Sequence, residues 1–143
     1  LGQLNLKNIT MVIAQEHSPS SANTKHMIGL RAAVTVLERW KANRNQIQQV
    51  LRISRATLLR AKGEATASRL DCDQLERISI VLNMHATMRT VFENPANVYG
   101  FMGRPNDNEF FNGRVPLDLI SRGSMLTLIE TYRRVDSLRN GLW

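Results

Sequence analysis

The sequence predicts an all-α fold, and three observations carry that reading. Apolar residues recur at i, i+3, i+4 and i+7 along successive stretches. Helix-capping residues stand where those stretches begin, and glycine or proline stands where they end. A short run with β character, around Ile9, Val12 and Ile13, has no partner strand elsewhere in the chain.

Taken in order, residues 1–26 read as a flexible tail, because Ser18-Pro19-Ser20-Ser21-Ala22-Asn23-Thr24 has breaker content and no period. Residues 27–42 predict a helix, with Leu30, Ala33, Val34, Leu37 and Trp40 on one stripe. Residues 43–62 predict a short helix, a break and a second short helix, with five cations and no acid. Ile47, Val50 and Leu51 line one face of the first, and Leu58 and Ala61 line one face of the second. Ser54 is placed to cap the second helix. Ile53 before it and Leu58 after it have the spacing of a hydrophobic staple.

A loop of small residues over 63–70 leads to a longer helix over 71–92, where Asp71 and Gln74 stand in capping-box spacing. Asn94-Pro95 restarts the chain as cap and first helical residue. Residues 103–115 are irregular. Pro116 opens and Gly123 closes one or two turns, and 124–139 form a last helix with Met125, Leu128, Tyr132 and Val135 on its apolar stripe. Asn140-Gly141 ends it as a left-handed cap, which leaves Leu142-Trp143 as an apolar tip. The expected organisation is a tail over 1–26, a helix-turn-helix bundle over 27–92, and a small helical domain over 93–143.

Composition limits the function. Apolar residues make up 43% of the chain, enough for a packed interior, and no apolar run approaches the roughly 20 residues of a membrane span. The first ten residues lack the basic start and apolar block of a signal peptide. Cys72 is alone, so no internal disulfide can form, and a bacterial cytoplasm is the expected setting. The net charge of +7 is unevenly placed. Residues 25–70 hold ten Lys/Arg against two acids, a net +8, whereas 71–143 hold eight against nine. A basic excess confined to one third of the chain is the footprint of phosphate binding.

Signals for chemistry are weak. His17, His26 and His85 are scattered, and no His/Cys pair has zinc spacing, so no metal is expected. Asp71, Asp73 and Glu76 crowd the first turn of a helix, where the dipole favours acids. Gly100-Phe101-Met102-Gly103 lacks the lysine and preceding strand of a phosphate loop. Neither an enzyme nor a cofactor is expected.

A helix-turn-helix braces one helix so that the next can enter the major groove. With Leu58 facing the core, Ala56 and Arg60 fall on the opposite side of the second helix, flanked by Thr57 and Leu59. Arg60 is the candidate for a guanine contact, and Thr57 for a thymine methyl or a phosphate. Ser54 and Arg55 stand at the helix start, within reach of phosphate or the first base. Arg44, Arg52 and Lys62 are candidates for backbone contacts. The turn usually places glycine where Arg52 stands, because the backbone there is left-handed.

The run Ile53-Ser54-Arg55-Ala56-Thr57-Leu58-Leu59-Arg60, then Arg69-Leu70-Asp71 and Leu75-Glu76-Arg77, resembles the DNA-binding half of bacterial antitoxins of the Xre–MbcA–ParS type. Pro105-Asn106, Phe111-Asn112-Gly113-Arg114, Pro116-Leu117-Asp118-Leu119-Ile120 and Gly123 resemble that family's toxin-binding domain. The resemblance covers about residues 43–143, and Arg52 departs from the usual glycine. It implies an all-helical, often dimeric antitoxin of a type II system. Such a protein represses its own operator as double-stranded DNA and covers the NAD pocket of a RES-domain toxin that consumes NAD⁺ or ADP-ribosylates a target. Carried onto this chain, the toxin contact would fall on Asn112, Arg114, Arg133, Arg139 and Trp143, with the protein at the nucleoid when bound to DNA. A stand-alone helix-turn-helix regulator without a toxin is the alternative expectation, and a nucleotide-binding protein or enzyme the third.

Overall fold

A computed structural model describes residues 19–141, with side chains from residue 21 onward. It is all-α, and no strand occurs among the described residues. The elements are α1 (Pro19–Arg39), α2 (Arg44–Leu51), α3 (Arg55–Lys62), α4 (Cys72–Val91), α5 (Pro95–Gly100), α6 (Pro116–Ile120) and α7 (Met125–Ser137). A 3-10 turn over Phe101–Gly103 follows α5, and another over Leu138–Asn140 follows α7.

Helix α1 starts at Pro19, so the last eight residues of the expected tail form its first two turns. Proline is at home at a helix start, where its missing N–H has no partner to lose. The serines before the apolar stripe suggested a loop, but tertiary contact holds them in the helix: the Ser68 amide donates to the Asn23 carbonyl at 2.9 Å. The far end stops earlier than the stripe suggests. Lys41 adopts φ +71, and the Ala42 amide turns back to the Leu37 carbonyl at 3.0 Å.

The capping chemistry accounts for the remaining boundaries. Asn43 and Gln46 form a reciprocal capping box at the start of α2, and Asp71 and Gln74 form one at the start of α4. Ser54 accepts from the Thr57 amide at the start of α3, and Ser124 from the Thr127 amide at the start of α7. Gly141 closes the last turn in the left-handed region at φ +65.

Helix α4 is central, packing on α1 to one side and α7 to the other. Apolar packing is continuous from Met27 to Val135, and takes in Trp40, Val50, Leu58, Met84, Met102, Ile120 and Leu128. The sequence boundary at 92/93 therefore falls at the end of a helix whose side chains serve both halves. At the edge of this core His85 stacks on Tyr99 with ring centroids 5.5 Å apart. Burial, then the nearby Arg89 and Arg39, hold its imidazole below the ordinary histidine value.

Arg77 is the polar centre of this packing. It is buried, yet its Nη1 donates to the Val50 carbonyl at 3.2 Å and to the Gly123 carbonyl at 2.9 Å. Its Nε reaches Asp73 at 3.0 Å. One guanidinium thus joins the end of α2, the first turn of α4 and the turn before α7. Gly123 suits that approach: it adopts φ +87, and a Cβ there would stand 3.2 Å from Gln49 Oε1. Replacing Arg77 with Leu leaves two carbonyls without donors and Asp73 without its inner partner. The expected loss is about 2–3 kcal/mol of stability in urea titration, with Arg77→Lys recovering only part because an ammonium lacks the planar fork.

Candidate nucleic-acid interface

The two short helices and their turn form the first candidate site. Helix α2 ends at Arg52, which adopts φ +53 and ψ +46, the left-handed conformation expected of this turn position. An L side chain is strained there. The side chain and carbonyl of Arg52 are both held: its guanidinium pairs with Asp71 and Asp73, and the Gln74 amide group donates to its carbonyl at 2.9 Å. The Asp71 carboxyl lies below the ordinary aspartate value, because the Gln74 amide and then Arg52 hydrogen-bond to it. Asp73 is lowered as well, by Arg52 first and Arg77 after it. These contributions are present at neutral pH and are lost as pH falls through the lowered carboxyl values. Arg52, a sequence-predicted candidate for a DNA-backbone contact, thus already has two carboxylate partners, which engage its Nε and Nη2 in closing the turn.

Helix α3 is fastened at both ends. At its start the Thr57 amide donates to Ser54 Oγ at 3.1 Å, and the two hydroxyls lie 3.0 Å apart. At its end Arg31 of α1 fans its donors onto three carbonyls: Ala61 at 2.9 Å, Gly63 at 3.1 Å and Ala65 at 2.7 Å. A cation on the last carbonyls of a helix satisfies groups that the helix leaves unpaired, and it complements the dipole. Sequence reasoning missed Arg31. The only available signal was a cation beside the apolar stripe of α1, and its target lies thirty residues away.

The sequence-predicted residues fall into two groups. Arg44, Arg55 and Lys62 come together around a cleft of about 280 Å³ between α2 and α3, lined also by Asn45, Gln48, Leu58 and Leu59. No acid pairs with Arg44 or Arg55 among the described residues, whereas Lys62 Nζ lies 2.7 Å from Glu38. Ala56 and Leu59 are exposed on the outward side of α3. Arg60 is exposed as well, but its Nη2 donates to the Ala67 carbonyl at 2.6 Å and draws the side chain toward the following loop.

The C-terminal candidates are more scattered. Asn112 sits at φ +50 in a closed loop, its amide donating to Asn108 at 2.8 Å. Arg114 braces the same loop by donating to the Phe110 and Phe111 carbonyls, both at 2.7 Å. Phe111 is fully buried and meets Phe110 edge-on at 5.0 Å. Phe110 in turn lies under Arg134, with 5.2 Å from guanidinium to ring, and joins Arg133, Glu130 and Ser137 around a cleft of about 370 Å³. Of the candidates among the described residues, only Arg133 lines that cleft. Arg139 points elsewhere, donating to Thr87 Oγ1 at 2.9 Å and pairing with Asp136 at 3.2 Å. Trp143 lies outside the described residues.

The fastening of α3 has a measurable consequence. Arg31→Met keeps the aliphatic stem and removes three hydrogen bonds, so the last-turn amides of α3 should exchange with solvent about tenfold faster or more, with the α4 amides little changed.

Comparison with known proteins bears on the same segment. Residues 22–83 match the family model described as the antitoxin Xre-like helix-turn-helix domain. The match takes in most of α1, both short helices and the first half of α4. Over 125 residues the chain is 27% identical to the uncharacterized protein y4oB of Sinorhizobium fredii (strain NBRC 101917 / NGR234), covering 87% of this chain and 94% of the relative. No solved structure matches. No described helix is long and apolar enough to cross a membrane. The first half of the chain is thus similar to an Xre-type antitoxin helix-turn-helix, and its turn, caps and basic cleft are built from the residues of that match.

Proposed function

We propose that this protein is the antitoxin of a type II toxin–antitoxin system, binding its own operator through α2 and α3 and a partner toxin through its C-terminal part. One observation carries the reading: within the segment similar to an Xre-like antitoxin domain, α3 is clamped at both ends, while its outer face is exposed and flanked by Arg44 and Arg55, which have no acid partner among the described residues. A rigid helix with a cationic rim suits insertion into a groove between phosphates. Arg44 and Arg55 take phosphates, with Lys62 joining once released from Glu38. Ser54 and Thr57 serve the start of the helix, and Ala56 and Arg60 lie on its outward side. Two copies with recognition helices about 34 Å apart would fit a palindromic site.

The C-terminal surface around Arg133, Arg134 and Phe110 offers charge beside an aromatic face, the usual make-up of a protein-binding centre. The toxin is a RES-domain protein, which the resemblance of the C-terminal motifs supports. On this reading the chain acts by occlusion and carries out no chemistry. Asn112 and Arg114 then shape the loop that presents Phe110, while Arg133 and Trp143 are the contacts.

Co-expression with the product of the adjacent gene, followed by affinity purification and measurement of cellular NAD⁺, tests the toxin half. The expected result is a stable complex and restored NAD⁺. Binding to the upstream promoter duplex without any such complex would favour a stand-alone regulator. For the DNA half, Arg55→Ala should weaken binding at all sequences and lower the salt slope by about one, while Arg52→Ala should leave the slope unchanged.

A further inference from the structure

Leu59 is 51% exposed, although it belongs to a helix whose other leucine, Leu58, is 2% exposed. It stands three residues after the exposed Ala56, so the two share one side of α3 about one helical turn apart. That side faces away from the core, and none of the described residues covers it. Arg60, the polar residue best placed to read a base from the same side, is tethered to the Ala67 carbonyl. The outward face of the helix therefore presents apolar groups at its centre and cations at its margin, where Arg44 and Arg55 line the adjoining cleft.

We infer that Ala56 and Leu59 form an apolar reading pair for thymine methyl groups in the major groove of duplex DNA. The inference rests on the DNA-binding reading above and names the feature that it recognises. Thymine carries the one apolar group on the major-groove edge of the four bases. Cβ atoms about 5–6 Å apart along the helix span between one and two base-pair steps of about 3.4 Å, so two neighbouring methyls lie within reach of the pair. Charge complementarity selects DNA over a second protein as the occupant: the apolar pair lies in the segment that holds the chain's whole cationic excess, and Arg44 and Arg55 have no acid partner among the described residues. Sequence preference then comes from the exclusion of water around methyl groups, and phosphate contacts fix the register.

The test selects duplexes from a random-sequence pool with the full chain, then resynthesises the preferred duplex with uracil replacing thymine at one position at a time. Uracil keeps every hydrogen-bonding group and lacks only the methyl. Affinity should fall roughly fourfold at one or two positions, the effect of about one buried methyl group. Leu59→Ala, folded as judged by circular dichroism, should bind more weakly and lose that sensitivity at one position. The uracil series on the unaltered chain decides the question even if the variant misfolds. Equal affinity for thymine and uracil duplexes at every position would overturn the inference and leave the DNA reading standing. Failure to enrich any duplex at low salt would sink the DNA reading itself, and this inference with it. Uracil insensitivity together with a dimer that Leu59→Ala dissociates would reassign the face to contact between copies.

Discussion

A single buried guanidinium sets the geometry on which the rest of the structure depends. Arg77 is held among apolar side chains and donates to backbone carbonyls of α2 and of the turn before α7, while Asp73 balances its charge. A buried charge is costly unless it is paired and hydrogen-bonded, so the segments that supply its acceptors have little freedom to shift. The end of α2 fixes where the turn begins, the turn fixes α3, and α3 carries the outward face. Arg77 thus joins the candidate DNA surface to the C-terminal part through two hydrogen bonds.

The turn shows how local strain is held by its surroundings. Arg52 occupies a conformation that favours glycine, and two carboxylates and a glutamine from the start of α4 hold it there. Those same acids look, in sequence, like an ordinary acidic helix start. Asp71 does serve as the cap, but its second oxygen and Asp73 close the turn as well. The net positive charge of the motif overstates what is available to a polyanion, because Arg52 and Lys62 are already paired.

Local patterns made most of the fold legible. The capping box at Asp71, the Asn94-Pro95 start and the Gly141 stop each depend on residues a few positions apart, and each sits where its spacing predicts, while a second box at Asn43 emerged from the structure. The start of α1 was not legible, since the contact that holds its first turns comes from Ser68. The candidate site was legible in part for the same reason. Exposure of Ala56 and Leu59 follows from helical periodicity, whereas the commitments of Arg31, Arg52, Arg60 and Arg114 depend on carbonyls and carboxylates brought near by folding. Arginine identity says little about direction: the same side chain caps a helix, closes a turn or meets solvent, according to which acceptor lies within its reach.

Continuous packing from Met27 to Val135 through α4 has a consequence for how the molecule is dismantled. A chain with two independent cores can lose one and keep the other. Here a nick or a local opening at either end uncovers one flank of α4 and withdraws support from the opposite flank. A shared core of this kind favours cooperative unfolding, in which the two surfaces are lost together rather than one at a time.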